Sequence, residues 1–204
     1  MRLEVMTRRV VHRIVVFIST ALIATLLPST AIARDLSIWD RLAGTNPQGY
    51  VLLMRHSLAP GIGDPANFRL GDCSTQRNLS DEGRLDAQDI GQWLKNRDVP
   101  ILRVESSRWC RARETAELLD IGTVRANRNL DSLFQDNDPL NNPQTAKIRN
   151  RIIGHQKSKG LLVFVGHSVN ISALTGVSLE SGEGVLVRAD SRGKIRVVGF
   201  SPAP

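Results

Sequence analysis

Aromatic side chains are scarce in this sequence of 204 residues: three tryptophans, one tyrosine and five phenylalanines, 4% of the chain. No stretch interleaves them with lysine or arginine, and the net charge of +7 is dispersed rather than gathered into a stripe. Both absences argue against nucleic acid as a partner. Cysteine is scarcer still, with only Cys73 and Cys110. Two thiols are too few for a structural zinc site, and the four histidines supply no ligand spacing to complete one. Neither cysteine opens a Cys-x5-Arg loop, because Leu79 and Ala116 stand at the sixth positions beyond them, so cysteine-phosphatase chemistry is out of reach. An even pair in an exported chain implies one disulfide. There is no uncharged apolar run of the roughly 18 residues a membrane span requires. Repeats and low-complexity tracts are also absent.

The apolar run that does occur lies near the start, over residues 14–27, and is 14 residues long. Arg2, Arg8, Arg9 and Arg13 precede it, Pro28, Ser29 and Thr30 interrupt it, and Ala31-Ile32-Ala33 offers a small-x-small cleavage site. This is the layout of a secretory signal. Residues 1–33 are therefore expected to be removed, leaving a domain over 34–204 that is periplasmic or secreted, with no stable membrane insertion. The leader carries four arginines and one glutamate, so the charge of +7 falls to +4 in the remaining chain. Mild basicity of this kind favours phosphorylated or acidic substrates.

In the remainder, short apolar runs alternate with helical patterns. Tyr50 to Met54, Ile101 to Val104 and Leu161 to Val165 predict strands, with a further short strand near Val124. Helices are expected near Ile38 to Leu42, from Ser80 as N-cap to Pro100, from Arg108 to Leu119, from Pro143 to Gln156 and from Val169 to Thr175. The end reads as a hairpin, Gly184 to Ala189 and Lys194 to Phe200, about Asp190-Ser191-Arg192-Gly193. Alternation over about 150 residues predicts a single three-layer α/β/α domain with a mainly parallel central sheet.

Chemistry concentrates where these strands end. Arg55-His56 follows the first, Ser106-Ser107-Arg108-Trp109-Cys110-Arg111 follows the second, and Gly166-His167 follows the third. Ligands of open α/β sheets bind beyond the carboxyl ends of the strands. Guanidinium groups match phosphate oxygens with forked hydrogen bonds, and neutral imidazole attacks phosphorus without prior deprotonation. The set predicts a phosphate site. Arg108 and Arg113 fit solvated helix-start arginines, and His155 fits a structural position in a helix tail. Ser106 and Ser107 fit helix capping as well as they fit the site.

Leu53-Met54-Arg55-His56, the block Ser107 to Ala116, and Val165-Gly166-His167-Ser168, in this order and spacing, resemble the histidine phosphatase superfamily, phosphoglycerate-mutase-like branch. Asn78-Leu79-Ser80-Asp81-Glu82-Gly83-Arg84 resembles the start of its first helix, and the likeness spans residues 50 to 187. It implies a metal-independent hydrolase of phosphoric monoesters that needs no cofactor. His56 would be the phosphoryl-accepting nucleophile, with Arg55, Arg111 and His167 completing the pocket. Two departures stand out. Ser57 replaces the glycine of the family's Arg-His-Gly, and Ser132 stands where many members place a glutamate acid. Glu183 and Asp131 are the substitutes, with Glu183 favoured. The short chain between the second block and His167 fits a phosphatase better than a mutase. The partner expected is a phosphorylated small molecule, or a phosphosugar of the cell envelope. The competing expectation is a catalytically weak phosphate-binding or envelope-interaction protein on the same scaffold.

Overall fold

The computed structural model describes residues 38–45 and 47–201. The proposed leader and its cleavage site lie outside the described residues. A helical turn over 38–42 comes first. There follow β1 (Tyr50–Arg55), α1 (Asp81–Lys95), β2 (Ile101–Ser106), α2 (Cys110–Leu118), β3 (Val124–Ala126), α3 (Pro143–Gly154), β4 (Leu161–Gly166), α4 (Ser168–Thr175), β5 (Gly184–Ala189) and β6 (Ile195–Phe200). Short 3-10 turns occupy Cys73–Thr75 and Arg128–Leu130. The strands form one sheet in the order β3-β2-β4-β1-β5-β6. β3, β2, β4 and β1 are mutually parallel, β5 is antiparallel to β1, and β6 is antiparallel to β5. The expected three-layer, mainly parallel domain is what forms.

Strand periodicity builds the two outer layers. Leu52 and Met54 of β1 and Leu161, Val163 and Val165 of β4 face α1, α2 and the turn at 38–42. Val51, Leu53, Leu162 and Phe164 face the other way, onto α3 and α4. A central strand with both faces covered reads as an unbroken apolar run for this reason. Leu161, Val163, Val165 and Val51 are fully buried.

Helix starts follow local chemistry. Ser80 accepts a hydrogen bond from the Gly83 amide at 3.1 Å, with Asp81 and Glu82 in the first turn of α1. Two glycines of α1 permit close approach. A Cβ on Gly83 would lie 2.3 Å from the Leu58 carbonyl oxygen, and one on Gly91 would lie 2.0 Å from that of Leu119. The first of these contacts seats α1 against the chain just beyond His56. The expected helix from Arg108 starts later, at Cys110, because Trp109 still has extended backbone, φ −63° and ψ 135°.

Candidate active site

The sheet order puts the three chemistry-bearing strand ends side by side. Arg55 pairs with Gly166 and Ser106 with Val165 in the parallel ladders. The ladders continue one residue further, through His56 N–H to the Gly166 carbonyl (3.0 Å) and Ser107 N–H to the Val165 carbonyl (2.9 Å). Backbone hydrogen bonding therefore fixes where His56 and His167 leave the sheet. Their rings lie 5.5 Å apart between centroids, at 69° to each other. Both are buried at the floor of a cleft of about 690 Å³.

The proton on His56 is located by its neighbours. Nδ1 lies 2.8 Å from the Ser57 carbonyl oxygen, which can only accept, so Nδ1 carries the proton. Nε2 is left with its lone pair, which receives the Arg111 Nε–H at 3.2 Å. Burial, reinforced by the charges of Arg111, Arg55 and Arg77, pulls the His56 pKa down to about 3, against the hydrogen bond to Ser57. Burial above all, then His56 and the same arginines, holds His167 well below its ordinary value. Both imidazoles are neutral at physiological pH. His167 Nε2 lies 3.0 Å from the Ser107 hydroxyl. That hydroxyl reaches Asp131 Oδ1 at 3.4 Å and accepts the Trp109 amide at 3.2 Å. Ser107 thus serves the start of α2 and orients His167 at once, which resolves the two roles its sequence position allowed.

Three guanidiniums line the cleft. Arg55 donates to the Leu179 carbonyl at 2.9 Å and lies 3.8 Å from the exposed Glu180 carboxylate. Arg77 donates from Nε to the Gly63 carbonyl at 2.8 Å and from Nη1 to the Ala59 carbonyl. Arg111, almost wholly buried, meets Asp64 with both terminal nitrogens, at 2.7 and 3.2 Å. Asp64 also accepts the Arg77 amide (3.1 Å) and Trp109 Nε1–H (3.0 Å). Burial raises the Asp64 carboxyl, but the hydrogen bonds from Arg111, the Arg77 amide and Trp109, with the charge of Arg111, outweigh it and hold the group below the usual carboxylate range. Three cations against one carboxylate leave the cleft lining positive, suited to a phosphate dianion.

The structure brings together His56, Arg55, Arg111 and His167 as the sequence predicts. It does not bring Glu183. That carboxylate accepts the Glu180 amide at 2.7 Å, within its own turn, and is absent from the cleft lining. Its part in the site is made by the backbone, whose carbonyl receives the Arg55 amide at 3.0 Å. The substitute, Asp131, is buried and held by the Arg108 amide (2.9 Å) and Nε (2.8 Å). It positions Arg108 and Ser107 and does not face the cleft. Arg108 and Arg113 are both about half-exposed, as expected of solvated helix-start arginines, and each also pairs with a carboxylate, Arg108 with Asp131 and Arg113 with Glu117 at 3.6 Å. His155 is structural, its Nε2 2.9 Å from the Gly160 carbonyl. Asp64 and Arg77 were not singled out by the sequence reading, and Ser132 lines the cleft at its expected place. Asp64 lies in the long irregular loop after His56, which the sequence marks as a length of chain in which functional residues concentrate, without marking Asp64 itself. Among the described residues, no group of three or more His, Cys, Asp or Glu side chains has the arrangement to hold a metal ion.

No family model matches this chain, and no curated protein matches it. Solved structures do. A protein histidine phosphatase, SixA, complexed with tungstate, aligns over 74% of this chain and 96% of its own with a TM-score of 0.54 at 16% identity. Phosphoserine phosphatase from Entamoeba histolytica in complex with 3-phosphoglyceric acid aligns over 76% and 97% with a TM-score of 0.55 at 13% identity. A protein described as mycobacterial hydrolase 1 aligns over 76% and 99% with a TM-score of 0.57 at 14% identity. These likenesses establish the fold. It is the phosphoglycerate-mutase-like fold of the histidine phosphatases.

Proposed function

We propose that this protein is a metal-independent phosphomonoesterase working through a phosphohistidine at His56. The observation that carries the reading is the state of that ring. Its Nδ1 proton is committed to the Ser57 carbonyl, while the Nε2 lone pair faces a buried guanidinium on the floor of a positive cleft. Nε2 attacks phosphorus as the bond to the leaving oxygen breaks. Arg55, Arg77 and Arg111 hold the nonbridging oxygens, where charge is greatest in the transition state. His167, neutral and fixed through Ser107, adds a hydrogen-bonding group to the same oxygens. Water then takes the phosphoryl group from Nε2 and restores the free imidazole.

The chain is further proposed to be exported, with its leader cut after Ala33 and the domain working in the periplasm or outside the cell. The Cys73–Cys110 disulfide supports an oxidising location. The substrate class is a phosphorylated small molecule, an envelope phosphosugar among the candidates. A second reading, phosphate binding or envelope interaction with little turnover, is favoured by one observation: Asp64 already engages both terminal nitrogens of Arg111. One experiment separates them. The domain, given an activated aryl phosphate, is expected to release a burst of phenol and to carry acid-labile, base-stable phosphate, both lost in His56→Ala. Turnover that survives His56→Ala sinks the assigned nucleophile. Oxyanion binding without turnover in the wild type favours the second reading.

A further inference from the structure

We propose that Asp64 is the proton donor of this reaction, freed for that task when Arg111 exchanges the Asp64 carboxylate for the phosphoryl oxygens of the substrate. The inference rests on the phosphohistidine reading and supplies the acid that Glu183 and Asp131 do not. Among the described residues lining the cleft, Asp64 is the one carboxylic acid. Its side chain is 16% exposed, close enough to solvent to exchange a proton and enclosed enough to be aimed.

Placement favours it. Arg111 bridges the two groups, with Nε 3.2 Å from His56 Nε2 and Nη1 2.7 Å from Asp64 Oδ1. A phosphoryl group attacked by His56 must have its leaving oxygen on the far side of phosphorus. The loop carrying Gly61 to Phe68 forms a wall of the cleft that must hold that oxygen. Once Arg111 turns to the phosphate, Trp109 Nε1 (3.0 Å) and the Arg77 amide (3.1 Å) still hold the carboxyl at that wall. Gly61 and Gly63, at φ 92° and 70°, give the loop left-handed positions just before Asp64 that other residues adopt only under strain.

The exchange also sets the protonation state. In the free enzyme, Asp64 faces Arg111 from α2 and Arg77 from its own loop. Arg55 and the neutral His56, at the end of β1, and His167, at the end of β4, form the rest of the charged or titratable lining. The Arg111 guanidinium keeps it ionised. A bound phosphate ester removes those donors and sets negative charge beside the carboxyl, and both changes favour the acid form. The proton arrives from solvent or on the ester monoanion. In the first step the P–O bond to the leaving group breaks, Nε2–P forms, and the Asp64 proton passes to the leaving oxygen to give the alcohol. In the second, water attacks phosphorus, its proton passes to the Asp64 carboxylate, and Nε2–P breaks to release inorganic phosphate. Protons balance over the cycle, with no further reactant.

The test compares kcat/KM for a dinitrophenyl phosphate, whose leaving group needs no proton, and for a simple alkyl phosphate, whose leaving group does. Asp64→Asn is expected to lose about 10²–10⁴-fold on the alkyl ester and to stay within a few-fold of wild type on the dinitrophenyl ester. Equal losses on both esters would reduce Asp64 to a positioning residue for Arg111 and overturn the proposal, as would an undiminished alkyl rate. The wild type gives an independent reading over a series of leaving groups. A rate nearly insensitive to leaving-group basicity supports the proposal, and a steep dependence overturns it without any variant. Absence of acid-labile phosphoprotein from both esters in the wild type would instead fail the phosphohistidine reading itself.

Discussion

At the scale of single residues, those legible in the sequence were the ones tied to strand ends. Arg55, His56, Arg111 and His167 each stand next to an element whose apolar run announces it. Asp64 and Arg77 sit in irregular chain whose path is set by tertiary contacts, among them Arg77 on the Gly63 carbonyl, which no periodicity encodes. Glu183 misled because a short turn satisfies its own backbone first: its carboxylate takes the Glu180 amide before it can reach anything else. Ser57, which stands where the family's Arg-His-Gly has glycine, proves fully buried with no hydrogen-bond partner for Oγ. A buried hydroxyl without a partner costs about 1–3 kcal/mol in lost hydration. Ser57→Ala is therefore expected to leave the urea midpoint unchanged or raise it, with His56 phosphorylation intact, since the Ser57 carbonyl that holds Nδ1 belongs to the backbone. A clear fall in the midpoint would mean that the hydroxyl has a stabilising partner in solution.

At the scale of elements, strands and helices were read within a few residues, but the connections that complete the site were not. The disulfide does what no single element does. It ties the turn at Cys73–Thr75 to Cys110, the first residue of α2 and the neighbour of Arg111. Gln76 reinforces the join by accepting the Cys110 amide at 2.9 Å. Arg77 follows one residue later, so the clamp sets the distance between two of the three guanidiniums that line the cleft. The sequence suggested that the cysteines pair, and the fold shows what the pairing holds. With the cysteines 37 positions apart, the bond is expected to contribute about 3–4 kcal/mol on the chain-entropy description. The Cys73→Ser/Cys110→Ser double variant should lose that much in urea unfolding. Its KM for an aryl phosphate should rise more than its kcat falls, because Arg77 loosens while His56 stays on its ladder. An unchanged KM would show that the loop keeps its place without the clamp.

At the scale of the whole molecule, parallel pairing was legible from the alternation of elements, but strand order was not, because it depends on which crossovers pass over which face. That order sets β1 beside β4 and so buries two imidazoles together at the floor of the cleft. Burial has a consequence for stability as well as for catalysis. In the folded protein His56 titrates at about 3 and His167 well below its ordinary value, burial being the largest cause for each. Unfolding returns both to about 6.5. Between the folded and unfolded values the unfolded chain binds protons that the folded protein refuses, so stability rises with pH across that window. The contribution is intact above pH 6.5 and is lost as pH falls toward 3. A single such histidine lowers stability by roughly 2 kcal/mol between pH 7 and pH 5. His155, also lowered by burial, acts in the same direction. Urea unfolding at pH 7 and pH 5 should therefore show a marked drop in the midpoint, and His56→Asn and His167→Asn should each flatten it. A midpoint that does not move between those pH values would mean that neither ring is held neutral in the fold, and with it would go the lone pair on which attack at phosphorus depends.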